Sequence, residues 1–385
     1  MCAARSVHNI VEPTLTLHTP KERILNRLNV LLYAATGSPS DGPSNVGYFL
    51  SNALAKQTNL TSFPFFKPAR KVYLGDVLTV CKDIVLKEFD IFHFLLTPTL
   101  VNGSYAALQF AKRRGCPTVL NAHGVLQLER MVDDTRRIPL TSPVYAMGAC
   151  KAVDKLVVNS RYMRDAVSAW YGVDLNKTVV IPNGVDLKRF SQCNDEIKLD
   201  GDPRILFIGR LSYAKGVDIL IRALAKVRPE MPNMRLHLVG SLKGAPAYSY
   251  QSLARKLGVE DKVVFHQWAS PENVPRYYKA ADICVFPSRL ESFGLMILEA
   301  MASGVPMVAS DIASFKEILL DGKCGLLFKS GDDEALSKAI RKLVGDPVLG
   351  RKLSQAAFQV VQKYSWENIT QRYLSLYNQL REAHV

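Results

Sequence analysis

The chain contains no apolar run approaching the roughly 18 residues needed to cross a bilayer, which argues against a membrane-spanning segment. Its N-terminus lacks the apolar core of a secretion signal, so a cytoplasmic protein is expected. Cysteine is sparse and never paired: Cys2, Cys81, Cys116, Cys150, Cys193, Cys284 and Cys324 are widely separated, with no C-x-x-C motif. That spacing argues against a metal ribbon or a disulfide framework and suits reduced thiols. Acidic residues are also short, 35 Asp and Glu against 49 Lys and Arg, for a formal charge of +14. The excess is spread over both halves, with no RNA-binding signature and no alternation of basic and aromatic residues. Nucleic acid is therefore not expected as a partner, which leaves phosphorylated substrates or an anionic membrane surface. Lys112-Arg113-Arg114 falls where a helix should end, and cations there complement the helix dipole. A membrane-facing patch is an equal reading of the same three residues.

A length of 385 residues, 48% hydrophobic and 22% charged, suits a soluble protein of two or three domains. Short β-branched runs alternate with helical patterns, as parallel βαβ units require. Strands are expected over Leu28–Ala35, Phe89–Leu96, Pro117–Ala122, Lys155–Asn159 and Thr178–Pro182, with a helix near Val46–Lys56. Composition then turns polar, and residues 191–203 read as a linker. A second series follows: strands at Arg204–Gly209, Arg235–Val239, Lys262–His266, Ile283–Pro287, Pro306–Ser310 and Gly325–Phe328, with a helix over Val217–Val227. The fold class is α/β, two doubly wound parallel-sheet domains in tandem: residues 1–190, then 204–365. Ligands in such sheets bind beyond the C-terminal ends of the strands, which directs attention to the cleft between the domains.

The stretch FPSRLESFGLMILEAMASGVP, Phe286 to Pro306, carries the most chemistry. Two carboxylates, Glu291 and Glu299, flank a loop that enters a helix. Between Phe293 and Pro306 the only formal charge is Glu299, which is costly unless something bonds to it. Ser288 or Ser292 is positioned to cap the helix, leaving the N–H groups near Phe293, Gly294 and Leu295 for an anion. Gly294 would let a ligand approach the backbone. The bland alternative is a buried helix whose Glu299 pairs with a core arginine. Earlier in the same half, Arg210 ends a strand and Lys215 opens the next helix, so both cations leave one strand-to-helix connection. Together they suit a diphosphate, Arg210 by a forked contact and Lys215 as a point charge.

These segments resemble the retaining glycosyltransferases of the GT-B fold, family 4 (glycosyltransferases group 1). The Glu-x7-Glu pattern runs from Pro287-Ser288 to Gly304-Val305-Pro306, and Gly209 to Gly216 matches G-R-L-x-x-x-K-G. Ile181-Pro182-Asn183-Gly184-Val185-Asp186, Ala280-Ala281-Asp282 and Tyr364-Ser365-Trp366-Glu367 are further matches. The likeness is specific in the C-terminal half and looser in the N-terminal half. It implies two Rossmann-like domains facing a cleft, with a C-terminal helix, 366–385, crossing back to the first domain. It implies that Arg210 and Lys215 bind the donor pyrophosphate and that Glu299 takes the ribose hydroxyls. Glu291, with the backbone of Ser292, Phe293, Gly294 and Leu295, would line the transferred sugar and its phosphate. His123 resembles an active-site histidine near the reacting sugar, and Asp311 and Glu317 would shape the pocket. The implied reaction retains configuration, uses a nucleotide-sugar donor and needs neither cofactor nor metal. The acceptor would be a glycan, lipid-linked or small molecule; the basic surface and the lack of a membrane span favour envelope or polysaccharide synthesis, with peripheral contact to an anionic membrane. A GT-B sugar-nucleotide epimerase and a non-catalytic nucleotide-sugar-binding protein are the alternatives. Two departures stand out: Asp41-Gly42-Pro43-Ser44 replaces the usual Gly-Gly of the first loop, and Ala313-Ser314 replaces a Gly-Gly after Asp311. Asp200-Gly201-Asp202 imitates a metal motif of another transferase fold, but it precedes a strand and is assigned no metal.

Overall fold

A computed structural model describes residues 27–34, 42–64, 88–96, 108–132, 142–195, 197–240 and 247–384. Expectations that fall on Ala35, Asp41, Cys2 and Cys81 lie outside the described residues. Two six-stranded sheets form the frame, and every strand pairing in them is parallel. The first contains β1 (Asn29–Ala34), β2 (Asn59–Pro64), β3 (Ile91–Leu96), β4 (Thr118–Ala122), β5 (Lys155–Val158) and β6 (Thr178–Val180), in the order β2-β1-β3-β4-β5-β6. The second contains β7 (Arg204–Ile208), β8 (Arg235–Val239), β9 (Val263–His266), β10 (Ile283–Phe286), β11 (Met307–Ser310) and β12 (Leu326–Phe328), in the order β12-β11-β10-β7-β8-β9.

Strand composition follows from this arrangement. A parallel sheet covered on both faces buries both sides of its strands, so they read as continuous apolar runs. β4, β10 and β11 are buried at every residue. β2 is the exception and was not anticipated: Asn-Leu-Thr-Ser-Phe-Pro is no apolar run, and it pairs with β1 at the sheet edge. An edge strand keeps one side free of the ladder and tolerates polar residues and a terminal proline.

Helices cover both sheets. The Val217–Val227 helix turns Val217, Leu220, Ile221, Leu224 and Val227 inward, the spacing of one helical face. The Trp366–Ala383 helix buries Trp366, Ile369, Tyr373, Leu376, Tyr377 and Leu380 against the first sheet, in one cluster with Val30, Leu32, Ile91 and Leu95. This late helix therefore packs on the sheet formed by β1 to β6. The stretch between β6 and β7 is partly ordered. It opens with a short Leu187–Ser191 helix whose Phe190 enters the core of the second domain. The two chain crossings run side by side, Val185 bridging Ser365 and donating its N–H to the Tyr364 carbonyl at 2.8 Å. Among the described residues no helix is long and apolar enough to cross a membrane.

Candidate functional site: the cleft between the sheets

Because all strands in each sheet run one way, their C-terminal ends collect at one edge. From that edge of the second sheet come Gly209-Arg210 after β7, Gly240 after β8 and the Pro287–Gly294 loop after β10. The loops are laced together. Arg289 donates its N–H to the Ala214 carbonyl at 2.8 Å, and its guanidinium forks onto Asp218 with both contacts at 2.7 Å. The same guanidinium lies 3.8 Å from the Tyr213 ring centroid. Sequence reasoning did not single out Arg289, since its partners lie more than seventy positions upstream. Gly216 adopts φ +69°, and a Cβ there would stand 1.9 Å from the Pro287 carbonyl oxygen. No other residue type permits so close an approach of two backbones.

Lys215 is buried and donates to the Glu291 carboxylate, a pair in which both side chains are largely shielded from water. Arg210 is exposed one position past Gly209, which lies beside the Met296 side chain in the first turn of the Leu295–Ala302 helix. Lys215, Glu291 and the segment Ser292 to Leu295 thus border one region at the mouth of this helix, and the backbone just before Arg210 approaches it.

The helix start differs from expectation in two respects. Neither serine caps it: Gly294 is the N-cap residue and no side chain bonds there. Ser288 is buried, and its carbonyl instead accepts from the Ser310 hydroxyl at 2.5 Å. Nor is the missing side chain at Gly294 reserved for a ligand. Its φ is +112°, and a Cβ would meet the Phe315 ring at 2.6 Å, so glycine is required by that packing. One expectation is met in substance. Among the described residues, none accepts a hydrogen bond from the N–H groups of Phe293, Gly294 or Leu295. Unpaired donors at a helix start attract anions.

Glu299 lies one turn further on, on the same face as Leu295. It does not pair with a core arginine; the Tyr278 hydroxyl donates to it at 3.0 Å. Burial pushes its pKa up to about 7, against the lowering influence of the Tyr278 bond and the Arg189 charge. Leu295 and Glu299 line a small interdomain cavity with Val46 and Phe49 of the first domain and Arg189 and Trp366 of the crossings.

His123 follows β4 at the corresponding edge of the first sheet and is half-buried. Ala122 pairs with Val158, so His123 and Asn159 leave adjacent strands side by side, about 5 Å apart as neighbouring strands are. The next residue, Ser160, reaches across the cleft and donates to the Ser292 carbonyl at 2.8 Å. His123 therefore leaves the sheet at the same edge from which Ser160 reaches the second domain. Glu317 and Asp311 are each bonded to a neighbouring segment. Glu317 accepts the Arg161 N–H of the first domain at 2.9 and 3.2 Å. Asp311 accepts from the Ser330 N–H at 2.9 Å, pinning a neighbouring loop. Asp200 precedes β7 at the opposite edge of the sheet, where it pairs with Arg235 at 3.2 Å and takes the His237 ring on its carbonyl.

Residues 191–360 match the family model described as glycosyl transferases group 1, and residues 26–189 match that of glycosyltransferase family 4. The chain is similar to D-inositol 3-phosphate glycosyltransferase from Actinosynnema mirum, 30% identical over 287 residues, which cover 71% of this chain and 69% of that protein. It is also similar to the enzyme of that name from Streptomyces avermitilis, 29% identical over 290 residues, covering 71% and 62%. The chain thus aligns with only 62% of the length of the second relative. Among solved structures it is similar to sucrose-phosphate synthase from Thermosynechococcus elongatus, with TM-score 0.75, 23% identity, and 93% and 100% of the two chains covered. HepE from Anabaena, in complex with UDP and glucose, gives TM-score 0.73 and 21% identity, with 91% and 100% covered. At such identities the likeness establishes the GT-B architecture and nothing finer.

Proposed function

Because this chain belongs to the group 1 glycosyltransferases, with a family 4 N-terminal half, we propose that it moves a sugar from a nucleoside-diphosphate donor to an acceptor with retention of anomeric configuration. One observation carries the reading: the acceptor-less N–H groups of Phe293, Gly294 and Leu295 stand beside the Lys215–Glu291 pair. Breaking the glycosyl–phosphate bond leaves negative charge on the diphosphate. Arg210, Lys215 and those N–H groups meet that charge as it develops, which is the interaction that lowers the barrier. Glu291 holds Lys215 in place for this role and borders the transferred sugar. Glu299 accepts the ribose hydroxyls, and His123 contacts the sugar from the opposite domain. The acceptor's proton passes to an oxygen of the departing phosphate, so no side-chain base is required. Charge neutralisation falls to Arg210 and Lys215 without a metal ion or other cofactor. That the HepE structure holds UDP and glucose supports a donor of this class.

For the acceptor we favour a glycan or lipid-linked molecule in envelope or polysaccharide synthesis, reached by peripheral contact with the cytoplasmic face of an anionic membrane. Met131, Val144 and Tyr145 support this, being exposed on two neighbouring helices, Leu126–Val132 and Ser142–Ala152. Lys151 ends the second of these helices and adds a cation. Liposome flotation with no preference for anionic lipid would remove the membrane part alone.

A thermal-shift screen over nucleotide sugars identifies the donor, since a bound ligand raises the melting temperature by mass action. With that donor, Lys215→Ala and Glu299→Ala should each lower transfer about a hundredfold or more, the scale of lost electrostatic stabilisation at a reacting centre. Circular dichroism should show both variants folded. Turnover near the unsubstituted level in both would refute the assignment.

A further inference from the structure

We propose that Ser160 is a positioning residue for transfer: from the N-terminal domain it holds the Ser292–Phe293 peptide so that the Phe293 N–H is aimed at the donor. The inference rests on the donor site proposed above, and it names a residue outside the domain that binds the nucleotide.

Ser160 uses one hydroxyl twice. As N-cap of the Arg161–Tyr171 helix, its oxygen accepts the Met163 N–H at 3.1 Å. Its proton is donated across the cleft to the Ser292 carbonyl at 2.8 Å. The residue is 2% exposed, so water does not compete for either bond. A second contact reinforces the first. Glu317, from the other domain, accepts the Arg161 N–H through both carboxylate oxygens, with the Arg161 Nε 3.6 Å away. A carboxylate at a helix N-terminus is favourable by charge as well as by hydrogen bonding. Here the helix and its carboxylate belong to different domains, so the interaction acts as a clasp.

Planarity of the peptide converts this clasp into a catalytic constraint. In a trans peptide the carbonyl and the following N–H point in opposite directions. Drawing the Ser292 carbonyl toward Ser160 therefore turns the Phe293 N–H away from the N-terminal domain, toward the helix mouth bordered by Lys215 and Glu291. No described residue accepts that N–H. The flanks are held: the Phe293 ring is buried with its centroid 6.3 Å from that of Tyr364, and Glu291 is bonded to Lys215. The plane of the intervening peptide is the remaining freedom, and Ser160 removes it. Arg210, Lys215 and Glu299, which hold the nucleotide, are all on the second domain and do not depend on Ser160.

Three substitutions separate this role from capping. Ser160→Thr keeps both bonds, Ser160→Asp keeps a cap acceptor but has no proton to donate at neutral pH, and Ser160→Ala loses both. The Asp and Ala variants should lose about tenfold in kcat, the effect of one misplaced donor, with the melting temperature of Ser160→Asp close to that of the unsubstituted protein because its cap is kept. Thr should restore most of the rate. Amide hydrogen exchange over residues 291–295 should quicken in Ser160→Asp, Ser160→Ala and Glu317→Gln. The proposal is overturned if Ser160→Asp transfers at the unsubstituted rate with unaltered exchange. It is equally overturned if the rate of Ser160→Asp falls only together with its melting temperature, which would make Ser160 a structural cap only. If the unsubstituted protein binds no nucleoside diphosphate, the donor site is wrong, and exchange at 291–295 still decides whether Ser160 clasps the segment.

Discussion

Glu299, proposed above to take the ribose hydroxyls, shows how a buried carboxylate costs stability. Its pKa is raised from 4.5 to about 7, chiefly because burial disfavours the charge. Between those values the native chain binds more protons than the unfolded one, so this group lowers stability as pH rises through the window. The cost above pH 7 is up to about 3 kcal/mol. Glu299→Gln keeps the acceptor for Tyr278 and removes the charge. In thermal melts without ligand at about pH 8 it should therefore be more stable than the unsubstituted protein, yet bind nucleotide poorly. For the unsubstituted protein, calorimetric affinity for UDP or GDP should weaken as pH falls below about 7, because the protonated carboxyl accepts fewer hydroxyl donors. A Glu299→Gln variant whose melting temperature drops, or a pH-independent affinity, would contradict this account. Glu299 was legible in the sequence as a lone charge among apolar residues. Its partner Tyr278, 21 positions earlier, was not, because no local spacing links the two.

At the scale of elements, the site depends on two loops packed backbone to backbone. The turn at Gly216 and the end of β10 approach so closely that an added Cβ would strike the Pro287 carbonyl. Gly216→Ala should therefore cost at least about 2 kcal/mol in urea unfolding, combining a positive φ with a backbone clash. An unfolding midpoint within error of the unsubstituted protein would show that the loops are not tied in this way. The glycine was visible within a motif, whereas the reason for it was not. Local sequence specifies a turn, but the clash partner is brought there by the pairing of β10 with β7. The Ser160–Ser292 and Arg161–Glu317 contacts span 132 and 156 positions and likewise left no trace in local pattern.

Across the whole molecule, the C-terminal helix is fastened by a buried polar chain. The His93 ring bonds the Tyr377 hydroxyl at 2.6 Å and Asn121 Oδ1 at 2.9 Å, while the Asn121 amide donates to the Tyr373 hydroxyl at 2.6 Å. Since Asn121 Oδ1 can only accept, the His93 Nε2 carries the proton and Nδ1 accepts from Tyr377. Burial lowers the His93 pKa to about 4, with the nearby His123 adding in the same sense and the Asn121 bond opposing. Here the unfolded chain binds more protons than the native one between about 6.5 and about 4. The contribution is thus complete above pH 6.5 and lost as pH falls through that window, at most about 3 kcal/mol. Urea midpoints should fall between pH 7 and about pH 5, and His93→Gln should flatten that slope. An unchanged slope in the variant would assign the acid sensitivity elsewhere. Nothing in the first half announces that His93 is completed by a helix 284 positions away.

Residue order alone was enough for eleven of the twelve described strands to within a residue or two, for their division between two parallel sheets, and for Glu299 as a lone charge among apolar residues. These are encoded locally, by runs of β-branched residues, turn glycines and a charge among apolar neighbours, so they survive without knowledge of the fold. Partnership was settled by chain folding in three dimensions: Tyr278 for Glu299, Asp218 for Arg289, Glu317 for a helix start and Ser160 for a peptide plane. Such contacts arise from where parallel strands deliver their ends, and no periodicity along the chain reports distances between segments that meet only after the sheets have formed.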